Sequence, residues 1–394
     1  MSDNKSATDT RSKIDKWRNT TGVSISVKIL AVTLGMTIVV LLVAGIVSFV
    51  MSRDAIEENI HDQLTSVREI KGQQIENYIN TIKLQTITFS ENPAIVKAMS
   101  HFRNAFKNML EQAEALAPNE NESSALLTYY REEYFARLRP NTEDKLSDVS
   151  PSDYLPKNPA SIRLQEMYIT ENHYPTGEKD KLNYADKSTY GELHETYHPV
   201  IRSYLEKFGY YDIFLVDHET GHIVYSVFKE VDYATSLMTG PYKDTNFAQA
   251  FKAASESDDR NFTRLVDFKP YYPSYNAPAS FIASPIFDGN KKIGVLVFQM
   301  PIDRINDIMT SKHNWRNVGL GETGETYIVG SDFTMRNQSR FLIEDVNGFI
   351  TSIRSSGLAV QTADLIEGFG TTIGLLPVET EGAKAALAGE SDTA

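Results

Sequence analysis

From Ile29 to Met51, within the stretch bracketed by Lys28 and Arg53, the chain holds 23 uncharged residues, ILAVTLGMTIVVLLVAGIVSFVM. At about 1.5 Å per residue a helix of that length measures about 34 Å, against about 30 Å for the hydrocarbon core of a bilayer. A secretory signal would have a shorter apolar part, about 7 to 15 residues, followed by a small-residue cleavage site. A buried soluble helix would keep one polar face. The pattern predicts an uncleaved transmembrane helix over 29–51. Beyond it, Ile60, Leu64, Val67, Ile75, Tyr78 and Ile82 recur at steps of three and four, with Lys71 as the one polar interruption. That heptad-like stripe predicts a stalk helix reaching about Ser90, roughly 60 Å long. Asn92 followed by Pro93 reads as an N-cap and first-turn proline opening another helix, so 52–112 comprises the stalk and the helix after it. The stripe suits a dimer seam or packing on its own domain.

Residues 113–204 are polar and rich in tyrosine, and Pro140, Pro151, Pro156, Pro159 and Pro175 cut them into short helical pieces such as LLTYYREEYFARL. The period changes at Tyr210. YYDIFLVD and HIVYSVFK read as strands of a hairpin, joined through HETG with Gly221 free to take positive φ. RNFTRLVDF, ASFIASPIF and KKIGVLVFQM follow, the last two meeting at Asp288-Gly289-Asn290. NFAQAFKAA and PIDRINDIM carry helical spacing. Five antiparallel strands wrapped by helices predict an α+β domain over 205–318, with one sheet face available to a ligand. GETYIVG starts a second strand series without a comparable number of strands behind it, so 319–394 is expected to be a partial second unit.

Composition narrows the chemistry. The absence of cysteine excludes disulfides, thiolate metal sites and cysteine nucleophiles. Lys and Arg number 39 against 52 Asp and Glu, a net charge of −13 that gives no reason to seek nucleic acid. The charge is unevenly placed. Residues 1–28 carry six basic and three acidic side chains, so the positive-inside rule makes them a cytoplasmic tail. Everything past the span, at −13 − 3 = −16, is then expected outside the cell inner membrane, in a periplasmic or extracellular setting.

Three motifs invite a chemical reading. HETYH, His194 to His198, fits the H-E-x-x-H pattern of zinc hydrolases, in which two imidazoles share a helix face and the glutamate, here Glu195, activates water. Pro199 directly afterwards disfavours helical geometry, so the motif is expected at a helix start with two solvated histidines. GLGETG, Gly319 to Gly324, matches a dinucleotide fingerprint only in letters, because strand-like ETYIVG follows it where a helix is needed. A turn is expected there. A binding pocket is the better reading. Asp232, Tyr242 and Asp244 from one loop, Tyr271 and Tyr275 from FKPYYPSYNAPASF, and Tyr225 and Phe281 on strands supply aromatic walls with polar anchors. Those tyrosines would also serve simply to cap the sheet.

In order along the chain, LTSVREIKGQQIENYINTI, FGYYDIFLVDHETGHIVYSVFKE, TGPYKDTNFAQAF, FDGNKKIGVLVFQMPIDRI and VGLGETGETYIVGSDFTMRNQSRF resemble the double Cache sensor of bacterial methyl-accepting chemotaxis proteins. The likeness covers most of residues 25–345. It implies that 205–318 is a membrane-distal PAS-like unit that captures a small-molecule solute, and 319–394 an incomplete membrane-proximal PAS-like unit. It further implies a homodimer, and a second transmembrane helix, a HAMP relay and an output module beyond Ala394 through which cytoplasmic signalling proteins are reached. In amino-acid-binding members an Arg-x-Trp pair and an aspartate ending the last strand hold the ligand. Here Gln299 stands at the aspartate's place, and Trp17 and Trp315 lie elsewhere, which leaves the solute open. The expected protein is a chemoreceptor sensor, not an enzyme, with no cofactor, no metal and no nucleic acid. Its site is Tyr225, Asp232, Tyr242, Asp244, Tyr271, Tyr275, Phe281 and Gln299. Such sensors also feed nucleotide cyclases and histidine kinases, and a membrane-tethered zinc hydrolase is the rival from another class.

Overall fold

The computed structural model describes residues 24–115, 122–142 and 145–391; most of the expected cytoplasmic tail lies outside them. The chain divides into two compact units, 1–66 and 67–394. Helix α1 (Ile25–Glu91) contributes to both. In the first unit every described residue is exposed, including the apolar run from Ile29 to Met51. Water does not tolerate so large a bare apolar surface, and by length and composition this one helix can cross a membrane.

In the second unit the remainder of α1 and α2 (Pro93–Ala115) lie on the sheet. Asn92 Oδ1 accepts from the Ala94 amide at 2.9 Å, closing the start of α2 as its Asn-Pro sequence predicts. The tyrosine-rich segment forms short pieces. Helix α3 (Glu122–Tyr129) runs on through a π-turn at Tyr130–Tyr134, and α4 (Pro159–Gln165) through another at Glu166–Thr170. Helix α5 (Thr189–Phe208) then leads into the sheet.

The five expected strands form: β1 (Asp212–Val216), β2 (Ile223–Ser226), β3 (Arg264–Pro270), β4 (Pro278–Asp288) and β5 (Lys291–Gln299). They make one antiparallel sheet in the order β2-β1-β5-β4-β3. Gly221 closes the first hairpin at φ +70°, and a Cβ there would lie 2.9 Å from the Met238 backbone nitrogen, so the position requires glycine. Pro285 is tolerated inside β4 because β3 pairing ends at Arg264↔Ala283, leaving that part of β4 an edge.

Register assigns the faces, since directly paired residues point the same way. Ile282, Phe298 and Ile213 look toward α1, α2 and α5, where Phe298 meets Phe89 and Tyr204. Phe281, Gln299 and Asp212 look the other way, toward α6 (Asn246–Glu256) and the tyrosine-rich segment. Both faces are covered, and the strands are buried on both sides apart from β3 and the β4–β5 turn.

Helix α7 (Asp303–Met309) follows β5 directly. Its Ile308 carbonyl, with the Ser311 hydroxyl, accepts the ammonium of Lys71 from α1. Ser311, Lys312 and His313 all take left-handed backbone conformations, at φ 51°, 56° and 64°. The strand series expected after residue 319 does not form among the described residues. GETYIVG gives a single bridge, Val329↔Met335, in place of a strand series, and the described remainder is helical: α8 (Arg340–Glu344), α9 (Val346–Ser355), α10 (Val360–Phe369) and α11 (Glu381–Leu387). An isolated apolar segment cannot hold strand geometry without neighbours to complete its ladder.

Candidate ligand-binding site

The tyrosine-rich segment is bolted over the α6 face by a small set of hydrogen bonds. Tyr130 donates to Gln165 Oε1 at 2.9 Å, and Gln165 Nε2 donates to the carbonyls of Val231 and Tyr233 at 2.9 and 2.7 Å. Ser161 donates to the Ala234 carbonyl at 2.6 Å. These bonds fix the loop after β2, in which Lys229 and Ala234 are held at positive φ. The loop carries Asp232 inward, fully buried, where Oδ2 accepts from the Tyr271 hydroxyl. Tyr271 packs edge-on to Phe281, which stacks on Phe247 of α6 at 4.6 Å. Tyr242 and Tyr134 complete the wall, both buried.

What distinguishes this wall is buried polar atoms without partners, the hydroxyls of Tyr134 and Tyr242 among them. The register Asp212↔Gln299↔Phe281 lays three side chains in a row across the sheet. Asp212 Oδ1 is saturated by the amides of Ile213, Val227 and Phe228, at 2.6, 2.8 and 3.2 Å. Its Oδ2, Gln299 Oε1 and Asp232 Oδ1 are buried and have no hydrogen-bond partner. Buried polar atoms are almost always paired, so three orphaned acceptors on one face call for an explanation. Beside them Glu230 accepts from Ser274 at 2.9 Å and from Tyr211 at 3.3 Å. Tyr211, Phe228, Ser274 and Gln299 line a cleft of about 750 Å³ at this end of the sheet.

Electrostatics follow from burial. Removal from water, then the neighbouring Asp232 charge, pushes the Asp212 carboxyl up to about 8, against the pull of its amide donors and of Lys229. Burial and the same two carboxylates push Glu230 up to about 8, and burial lifts Asp232 to about 6. Lys229 is brought down to about 7, again chiefly by burial.

The expected site residues therefore fall into three groups. Asp232, Tyr242, Tyr271, Phe281 and Gln299 lie on the α6 side of the sheet. Tyr275 is half-buried beside them, 6.0 Å from Tyr134 between ring centres. Tyr225 and Asp244 are elsewhere. Tyr225 pairs with Leu215 on the opposite face and stacks on Phe102 at 4.9 Å, while Asp244 is exposed. Sequence reading missed Asp212, Glu230, Tyr130, Tyr134 and Gln165. Asp212 had a signal: a carboxylate opening an otherwise apolar run, YYDIFLV, inside a strand buried on both faces.

HETYH needs correction. It sits inside α5, not at its start, and both histidines are buried rather than solvated. Pro199 forfeits only the bond to the Glu195 carbonyl, on the exposed side of the helix, so the helix continues. His198 donates Nε2–H to the Asp180 carbonyl at 2.6 Å and accepts at Nδ1 from the Tyr225 hydroxyl at 2.7 Å, a tautomer set by those partners. His194 donates Nδ1–H to the Asn183 carbonyl at 2.9 Å and stacks on His198 at 4.3 Å. Burial, then Lys229, brings His198 down to about 3, and burial lowers His194 as well. His198 has no lone pair left for zinc, Glu195 is exposed on the other side, and no trio of potential ligands gathers around a metal position among the described residues. GLGETG forms turns, as its strand-like sequel implied.

No protein-family model matches the chain, and no curated protein does. Among solved structures it is similar to the ligand-binding domain of the Pseudomonas fluorescens chemoreceptor CtaA in complex with L-serine, at 14% identity and a TM-score of 0.23, over 44% of this chain and 59% of that one. It is also similar to the sensor domain of the V. cholerae histidine kinase DctB, at 11% identity and a TM-score of 0.26, over 65% of this chain and 79% of that one. Likeness at this level assigns neither ligand nor partner to this chain.

Proposed function

We propose that the chain is the extracytoplasmic sensor portion of a transmembrane receptor, which binds a small solute in the chamber on the α6 face and passes the signal across the inner membrane. The observation that carries this reading is the set of buried, partnerless oxygens of Asp212, Asp232 and Gln299 at the end of the sheet that borders the cleft. A ligand supplies what the protein withholds. The apolar run 29–51, with a basic segment before it, supports an N-terminus in the cytoplasm and the sheet outside. Chemotaxis through a dimeric receptor is the output this reading favours, and a histidine kinase or nucleotide cyclase output is compatible with the same sensor.

The test is a melting screen of the full chain in lipid nanodiscs against amines, organic acids, sugars and amino acids. At least one solute should raise the melting temperature in a saturable way, and Asp232→Asn should weaken that solute about tenfold, the scale of one charge-assisted hydrogen bond. A set of hits that all survive Asp232→Asn unchanged removes the chamber as the site.

A further inference from the structure

A second cleft, of about 790 Å³, opens between the stalk part of α1, the end of α5 and α7. Lys71, Gln74, Tyr78, Ile82 and Gln85 reach it from α1 at steps of three and four, so they share one helix face. In a chain of net charge −13 its lining is basic: Lys71, Lys207, Arg304 and Lys312 stand against a single carboxyl, Asp307. That carboxyl lies 3.9 Å from Arg304 with both side chains about half exposed, so the pair offsets little. Asp303, exposed at the start of α7, acts on Tyr78 together with Arg304. Lys207 and Lys312 are exposed and form no ion pair among the described residues. Lys71 carries the sharpest mismatch. It is 7% exposed, and its ammonium donates to the Ile308 carbonyl and the Ser311 hydroxyl, two neutral acceptors for a group with three protons and a full charge. Burial lowers its proton affinity, with no carboxylate to oppose the shift. The lining amides have the same sign. Gln85 Oε1 accepts from the Tyr210 hydroxyl at 2.7 Å and Asn77 Oδ1 from Gln73 Nε2 at 3.2 Å, which leaves the amide hydrogens of Gln85 and Asn77 to donate.

We propose that this cleft is a second binding site, for a small polyvalent oxyanion bearing carboxylate or phosphoryl groups, held by Lys71, Lys207, Arg304 and Lys312 between the stalk and α7. It shares no residue with the chamber wall and does not depend on the chamber's ligand. A cation would meet four like charges. A neutral polyol would use the donors and leave the buried Lys71 charge uncompensated. An anion with several oxygens is shared by ammonium and guanidinium groups from three parts of the fold at once, which a monovalent ion cannot do. Because Lys71 and α7 both take part, the bound anion ties α1 to α7 beyond the existing contact of the ammonium with the Ile308 carbonyl, and its occupancy sets how firmly that junction holds.

The probes are sodium citrate and sodium pyrophosphate, with sodium chloride at matched ionic strength and glycerol as comparisons, titrated calorimetrically into the full chain in nanodiscs of zwitterionic lipid. At least one of the two polyanions should bind saturably, and the one that binds more tightly identifies the preferred head group. Amides of residues 303–313 should then exchange with solvent about threefold more slowly or better. Lys207→Gln combined with Lys312→Gln should weaken binding about tenfold, and Asp307→Asn should strengthen it about threefold. Both lysines are exposed, so the double replacement should leave the melting temperature of the anion-free protein unchanged. Saturable binding of neither polyanion, or binding that survives the double replacement at full strength, overturns the proposal. Binding that is lost in Asp232→Asn and indifferent to the lysine pair puts the anion in the chamber, so the second site falls and the sensor reading stands. Binding that follows the lysine pair while no solute depends on Asp232 supports the second site and removes the chamber.

Discussion

Asp212 divides its two oxygens between opposite tasks. One is a structural acceptor for three amides, that of Ile213 in β1 and those of Val227 and Phe228 at the turn after β2, and the other is buried without a partner. Burial, with Asp232 nearby, raises its proton affinity, and Glu230 and Asp232 share that direction while Lys229 is shifted toward its neutral form. For a carboxyl whose folded value exceeds its unfolded one, the native state holds the proton more tightly than the unfolded chain. Its stabilising contribution is then full at low pH and is lost as pH rises from the ordinary carboxylate range, about 4, toward about 8. The lowered Lys229 acts above about pH 7, outside the lower part of that window. The empty protein should therefore lose stability between about pH 5 and 7, by roughly 1 kcal/mol per pH unit for each fully shifted group. Asp212→Asn keeps an acceptor for the three amides and should flatten that slope, which melting temperatures across the interval would show. An unchanged slope would mean that Asp212 is ionised throughout.

At the scale of elements, the sheet depends on how closely α2 approaches β5. Gly294 faces Met99, and a Cβ built there would lie 2.4 Å from the Met99 sulfur. Gly294→Ala should cost about 1 to 3 kcal/mol by overpacking, measured by denaturant unfolding, and Met99→Ala in the same chain should recover part of it. Four of the strands were legible as short apolar runs joined pairwise by glycine-bearing turns, and both hairpins close where HETG and Asp-Gly-Asn predicted. The chamber was legible only in part. Asp232, Tyr242 and Tyr271 announced themselves as polar or aromatic groups in loops. Asp212 and Gln299 meet through strand register, and Tyr130 and Gln165 arrive from segments 35 residues apart, so no local pattern encodes their convergence. GETYIVG shows the converse: strand-like letters without partners yield one bridge. In HETYH a proline suggested a helix boundary that burial of His194, His198, Ile201 and Leu205 along one face overrides.

For the whole molecule, sensing requires that an event at the end of β5 reach α1. Gln299 in the chamber wall is followed within four residues by α7, and α7 ends on the carbonyl that takes the Lys71 ammonium. Lys71 is the polar break in the stalk stripe, and the structure buries it. Replacing it by methionine should leave solute affinity within about twofold while amides of residues 303–313 exchange faster with solvent, by the roughly 1 to 3 kcal/mol of a charged hydrogen bond. Exchange unchanged from the parent would show that α7 is held by other contacts. A long rod secured mainly by greasy packing can slip by small increments without resistance. One fastened in addition through an ammonium to a helix terminus has a defined detent, so that displacement is either withheld or released, and the left-handed turn at 311–313 is where such a release would be accommodated.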